Sequence, residues 1–322
     1  MDEEIKKLTE EAVEKTKLVE KIKTEYQKVI VGQDNLMKKM MTCLVSGGHL
    51  LLEGVPGLAK TLAIKTLSQV LSLDFKRIQF TPDMLPADIR GTLIYNQSNG
   101  SFEVKKGPIF SNFILADEIN RAPSKVQSAL LESMQEKTVT LGDTTYRLSE
   151  PFFVMATQNP IEQEGTYPLP EAQTDRFFMK VYVDYPTPQE EKRIMHRMSG
   201  LTYPEPKVSA SRDDIIGLQK FVEKIYIDEK VFDYIVNIVV ATRKFEKSYV
   251  KYGASPRASI NFVRAARAEA FFDGRGYVIP EDVKAVAYDI LRHRIILSFE
   301  AEAEGINSEN VVEKILNTVE IP

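Results

Sequence analysis

Apolar residues fall in short unbroken blocks over the first half of the chain and in helical stripes over the second. Blocks at 50–52, 113–116, 152–156 and 181–183 have strand length and sit between amphipathic stretches, and the mixed run 75–80 is a further strand candidate. Val19, Ile22, Tyr26 and Val29 share one face of a predicted helix over 2–29, whose polar first turns are expected to fray or meet a partner. Met37, Met40, Met41 and Leu44 give the inner side of a second helix, around 35–45. A third is expected over 61–71, and a fourth begins at Pro123 with Val126, Leu130 and Met134 in one stripe. Asn99-Gly100 between Ile94-Tyr95 and Phe102-Val104 predicts a hairpin, as does Gly142-Asp143 between 137–141 and 145–148. Apolar strands separated by helices argue for a parallel sheet covered on both faces. Beyond Pro186-Thr187-Pro188 the pattern is helical only, near 189–199, 212–226, 228–245, 256–272, 280–294 and 309–318. The expected organisation is therefore α/β, with an N-terminal helix and α/β domain over 1–185 and a helical domain over 186–322.

Composition narrows the function classes. A hydrophobic content of 43%, a charged content of 27% and a net charge of −4 describe an ordinary globular chain with no general attraction to nucleic acid or anionic membrane. Cys43 is the single cysteine and lies in an apolar run, which excludes a disulfide framework and a thiolate metal site. His49, His196 and His293 are far apart, which argues against a metal cluster. The sequence contains no apolar span of membrane length and no secretory leader, so a cytoplasmic location is expected.

The chemistry centres on Gly54-Val55-Pro56-Gly57-Leu58-Ala59-Lys60-Thr61, between the 50–52 block and the 61–71 helix. Strand, glycine-bearing turn and helix form the setting of a phosphate-binding loop. The backbone N–H groups curl inward and the positive helix end faces the same point. Lys60 is placed to neutralise β and γ oxygens, and the Thr61 hydroxyl to hold Mg²⁺. Ala59 stands where the general pattern has Gly. It is harmless if the position is already helical and strained if the loop needs positive φ. In a parallel sheet, ligands bind beyond the carboxyl ends of strands. The 113–116 block runs into Asp117-Glu118, and 152–156 runs into Thr157-Gln158-Asn159. Adjacent strands would bring both to the loop. Asp117 would then hold Mg²⁺, Glu118 would polarise an attacking water, and Asn159 would bond that water or the γ-phosphate. Alone, Asp-Glu at a strand end reads as solvated charge; downstream of a phosphate loop the catalytic reading prevails.

GVPGLAKT at 54–61, ILADEINRAP at 114–123, VMATQNP at 154–160, LPEAQTDRF at 169–177 and GASPRAS at 253–259 together resemble the MoxR group of AAA+ ATPases over nearly the whole chain. The two hairpins fit that group, and Ala59 matches its form of the loop. The resemblance implies a P-loop AAA+ core followed by an all-helical lid, with ATP and Mg²⁺ as cofactors. It implies that Arg176 resembles an arginine finger reaching a neighbouring subunit, the alternative being a pair with Asp175. Arg257 resembles the lid's sensor arginine. Ser255 can cap that helix and Pro256 suits its first position, which puts a cation at a helix start and calls for an anion nearby. Val31, Gly32 and Gln33 resemble the segment lining the adenine pocket, and Arg121 is assigned an interface role. An arginine acting in trans implies a ring, a hexamer, favoured by ATP. The implied activity is ATP hydrolysis driving chaperone-like remodelling or maturation of a client protein beside a von Willebrand A domain adaptor. A nucleotide-switched chelatase-type subunit ranks second. A nucleic-acid motor ranks last, because the hairpin tips, Asn96-Gln97-Ser98-Asn99-Gly100 and Gly142-Asp143, are neutral and acidic.

Overall fold

The apolar blocks become strands and the stripes become helices in a computed structural model, which describes residues 2–55, 57–98, 100–159, 166–200 and 204–322. Pro56, Asn99 and Pro160, each part of a stretch singled out above, lie outside the described residues. In chain order come α1 (Asp2–Val29), α2 (Asp34–Val45), β1 (Leu50–Glu53), α3 (Lys60–Val70), β2 (Phe75–Gln79) and α4 (Pro86–Arg90). The hairpin β3 (Gly91–Asn96) and β4 (Ser101–Lys106) is followed by β5 (Phe113–Asp117) and α5 (Ser124–Glu136). The hairpin β6 (Thr138–Leu141) and β7 (Thr144–Arg147) precedes β8 (Phe153–Gln158), α6 (Glu171–Thr174), β9 (Met179–Tyr182) and α7 (Pro188–Met198). The remainder is α8 (Arg212–Val222), α9 (Glu229–Lys244), β10 (Val250–Tyr252), α10 (Pro256–Phe272), α11 (Pro280–Leu291), β11 (Ile296–Leu297), α12 (Phe299–Ala303) and α13 (Ser308–Thr318).

The chain divides into two compact units, one of residues 21–176 and 181–216, the other of 1–20, 177–180 and 217–322. In the first, the described residues form a five-stranded sheet in the order β2-β5-β8-β1-β9. The pairs β2/β5, β5/β8 and β1/β8 are parallel. Leu50, Leu51, Leu52, Phe113, Ile114, Leu115, Phe153, Val154 and Met155 have no exposed surface, as expected of strands covered on both faces. The Phe113 and Phe153 rings lie 5.2 Å apart and mark the register at the strand starts. His49 is buried there as a structural group. Its Nδ1 accepts from the Val154 N–H (3.1 Å), which leaves Nε2 to donate to the Met134 carbonyl (3.2 Å).

The second unit is mostly helical, with buried alanines along α10 (Ala258, Ala265, Ala266, Ala268) that let a neighbouring helix approach closely. One expectation is corrected here. The region after Pro188 is not helical throughout, because β10 and β11 pair antiparallel. Strands of three and two residues are too short to register as a period. α1 is helical from Asp2, and two of its polar residues are engaged within its own unit. Thr9 Oγ1 accepts from the Gly276 N–H (3.1 Å) and Lys15 Nζ sits 5.5 Å from the Phe221 ring centre.

The stretch 177–180 is held by its carbonyls. Arg294 Nη2 donates to Phe177 O (2.6 Å), Asn261 Nδ2 to Phe178 O (3.3 Å) and Arg292 Nη1 to Lys180 O (2.8 Å). His293 is half-buried among these groups, its Nε2 3.4 Å from Phe177 O. Burial, reinforced by the Arg294 charge, holds its imidazole well below the usual histidine value. The native state therefore keeps His293 neutral where the unfolded chain protonates it. Its effect on stability is nil above the ordinary histidine range and grows unfavourable as pH falls below it. Denaturant titrations from pH 8 to pH 5 are expected to show stability falling on the acid side by up to about 1.4 kcal/mol per pH unit from this group. The His293→Gln variant is expected to have a measurably shallower slope.

Candidate active site

Parallel register sets the site. Leu52 pairs with Thr157, Ala116 with Ala156, and Gln79 with Asp117, so four strands end along one rim. There a cleft of about 480 Å³ collects Gly54, Gly57, Leu58, Ala59, Lys60, Thr61, Asp117, Glu118 and Asn159, together with Arg77, Thr157 and Gln158. The turn from β1 to α3 is shaped by two glycines. A side chain on Gly54 would come within 2.8 Å of the Val183 carbonyl, and Gly57 takes φ 86. Ala59 resolves the alternative left by the sequence. It has φ 54 and ψ 24, outside the helix that starts at Lys60, so it bears the left-handed strain. For a residue with a Cβ that costs about 1–2 kcal/mol.

The cleft's charges are satisfied within the chain. Lys60 Nζ donates to the Gly54 carbonyl. Burial pushes its ammonium below the usual lysine value, while the carboxylates of Asp117, Glu118 and Glu53 pull it back. Thr157 Oγ1 donates to Asp117 Oδ1 (2.6 Å) and accepts from the Glu118 N–H (2.8 Å). Arg77 donates to Asp117 Oδ2 through both Nε (3.0 Å) and Nη2 (2.7 Å). Glu118 Oε2 accepts from Gln79 Nε2 (3.0 Å) and from Arg121 Nε (2.9 Å). Glu118 itself is left-handed, at φ 56 and ψ 49, as the residue that turns β5 into a short 3₁₀ segment. Asn159 is buried at the rim.

Beside this cleft lies a smaller apolar pocket of about 130 Å³, which shares Gly57, Leu58 and Ala59 with it and is lined further by Ile30, Val31, Gln33, Ile194 and Met198. Gly32 and Gln33 are both left-handed, at φ 69 and 55. Gln33 Nε2 donates to the Leu58 carbonyl (2.7 Å), while its Oε1 is buried with no hydrogen-bond partner among the described residues.

Arg176 is exposed just past α6. Arg257 is in the first turn of α10, in the second unit. Ser255 holds the N-cap position of that helix, but its hydroxyl makes no capping bond. Arg121 pairs with Glu118 of its own chain. The sequence reading passed over Arg77, Gln79 and Thr157. Arg77 and Gln79 alternate on one face of β2, a signal that a polar strand edge hides, and Thr157 stands inside a motif already noticed.

The model for the ATPase family associated with various cellular activities (AAA) matches residues 49–179, and that for the AAA lid domain matches 243–315. Chaperone MoxR1 of Mycobacterium tuberculosis is 52% identical over 305 residues, covering 92% of this chain and 81% of that protein. YeaC of Bacillus subtilis, itself uncharacterised, is 45% identical over 299 residues, covering 92% of each. The crystal structure of a Cytophaga hutchinsonii protein, assigned provisionally as an ATPase, superposes with a TM-score of 0.93 at 53% identity and 99% coverage of both chains.

The strain at Ala59 is testable by denaturation. Ala59→Gly is expected to match or slightly exceed the wild-type stability. Ala59→Val, with a β-branched side chain in the left-handed region, is expected to lose about 1–3 kcal/mol.

Proposed function

Because this chain belongs to the MoxR family of AAA+ ATPases, we propose that it works as a chaperone-like remodeller or maturation factor driven by ATP hydrolysis, in sites completed between subunits. The observation that carries this is the single cleft in which Lys60 and Thr61 face Asp117, Glu118 and Asn159. The loop N–H groups and Lys60 grip the phosphates, and the base enters the apolar pocket beside Val31, Gly32 and Gln33. The partnerless Gln33 Oε1 suits the exocyclic amino group of adenine. Asp117 and the Thr61 hydroxyl are hard oxygen donors at the cleft and fit Mg²⁺, which would neutralise charge on the phosphates. Glu118 polarises the attacking water and Asn159 orients it or the γ-phosphate. Glu118 must first leave Gln79 and Arg121.

The exposed Arg176 is read as the group that stabilises transition-state charge in a neighbouring subunit, and Arg257 as the lid's sensor of the γ-phosphate. A ring, a hexamer, follows from that reading. The client, with a von Willebrand A domain adaptor, is proposed by likeness to MoxR proteins. No helix among the described residues is long and apolar enough to cross a membrane, and residence in the cytoplasm is proposed. One observation favours a second reading, a nucleotide-switched chelatase-type subunit. Both acidic side chains start bonded, Asp117 through both oxygens and Glu118 through Oε2, which suits slow turnover.

Lys60→Ala is expected to lose nucleotide binding, read by a fluorescent ATP analogue. Glu118→Gln is expected to keep binding and lose hydrolysis by at least about a hundredfold. Unchanged affinity in Lys60→Ala would refute the loop assignment.

Completion between subunits predicts complementation. Arg176→Ala and Lys60→Ala are each expected to hydrolyse ATP poorly alone and to recover part of the rate when mixed, because the Lys60→Ala neighbour supplies its Arg176. No recovery, or full activity of Arg176→Ala alone, would overturn the shared site.

A further inference from the structure

The guanidinium of Arg77 lies where a divalent ion would have to be served. Asp117 has two oxygens. Oδ1 takes the Thr157 hydroxyl, and Oδ2 takes two N–H groups from Arg77, at 3.0 and 2.7 Å. Arg77 is buttressed in turn by Gln79, whose Oε1 accepts from Nη2. The placement is built into the sheet. Arg77 pairs with Leu115 across β2 and β5, so its side chain shares a face with Asp117 two positions further on, and β2 is an edge strand. The arginine side chain is about half exposed and has a long stem, so it can leave without disturbing the core. Lys60, the cleft's other cation, is bonded instead to a carbonyl of its own loop.

We propose that Arg77 is a resident counter-cation for Asp117 that the divalent ion must displace, and that it thereby sets the divalent-ion concentration at which nucleotide binds tightly. The inference rests on the reading of Asp117 as a cation ligand. A guanidinium and a divalent ion cannot both use Oδ2 at close range without strong repulsion, so occupancy by one excludes the other. The exchange makes the cleft electrically balanced before nucleotide arrives and makes metal binding a competition. The device differs in kind from a phosphate-binding arginine, whose loss weakens nucleotide binding whether or not metal is present.

The test uses the full chain and binding alone. A non-hydrolysable fluorescent ATP analogue is held at fixed concentration while Mg²⁺ is titrated, with a parallel series in EDTA. In Arg77→Met, which keeps the apolar stem, the Mg²⁺ midpoint is expected to fall about three- to fivefold, with binding in EDTA unchanged. Arg77→Lys is expected to lie between, because an ammonium keeps the charge and loses the fork. It also carries the test if thermal melting shows Arg77→Met misfolded. A midpoint equal to wild type in both variants overturns the proposal. So does weakening by one common factor with and without Mg²⁺, which would make Arg77 a phosphate ligand. A wild-type protein whose nucleotide binding ignores Mg²⁺ would remove the reading of Asp117 itself, a result distinct from an unmoved midpoint in a Mg²⁺-dependent protein.

Discussion

Parallel register among β2, β5, β8 and β1 is the constraint on which the rest depends. The pairing is enforced where the strands are driest, at Phe113 and Phe153 and along the Leu50–Leu52 run, none of which retains exposed surface. A slip of one residue would send every side chain to the opposite face of a sheet covered on both sides. The register that buries these residues also fixes where the strands end, and each end carries a polar group. The site is thus a by-product of core packing. Apolar burial, at roughly 25 cal/mol per Å², holds the carboxylates and the loop in place, and the polar bonds between them refine the arrangement.

Those polar bonds form one connected set. Thr157 touches both Asp117 and the Glu118 backbone, Gln79 touches Glu118 and Arg77, and Arg77 returns to Asp117. Lys60 is the exception, bonded among the described residues only to its own loop while three carboxylates act on it through space. The asymmetry suits a cleft meant for a highly negative ligand. The acidic side is already compensated, so an incoming phosphate meets less repulsion than the count of carboxylates suggests.

The sequence was informative where physics is local. The fully apolar blocks could only be strands of a covered sheet, and the stripe Val126, Leu130 and Met134 could only be the buried face of a helix; all three are buried in α5. Motifs carried the cleft, because the loop and the carboxylate pair are contiguous in sequence. What escaped depends on relations between strands. Arg77 and Gln79 belong to the site because β2 lies beside β5, and a polar edge strand read alone looks like solvent-exposed surface. The β10 and β11 pair escaped for want of length, since two or three residues hold no period. The role of Thr9 in the polar start of α1 escaped too, since its bond with Gly276 joins residues 267 positions apart, which no window along the chain can see.

Ala59 and Glu118 both sit at the cleft in the left-handed region without being glycine. Each conformation costs about 1–2 kcal/mol. At Glu118 the surroundings compensate: its N–H donates to Thr157, and its carboxylate is paired with the partly exposed Arg121. These are worth about 1 kcal/mol and at most another 1 kcal/mol respectively. At Ala59 the following helix takes over the backbone at once, with the Ala63 N–H donating to the Ala59 carbonyl at 2.9 Å. Strain persists only where the structure around it over-determines the geometry. A relaxed Glu118 would carry β5 straight on and swing the carboxylate off the rim. A relaxed, helical Ala59 would redirect the N–H groups of the turn. The small loss of stability at these two residues is therefore the physical condition for having a cleft with donors on one wall and carboxylates on the other.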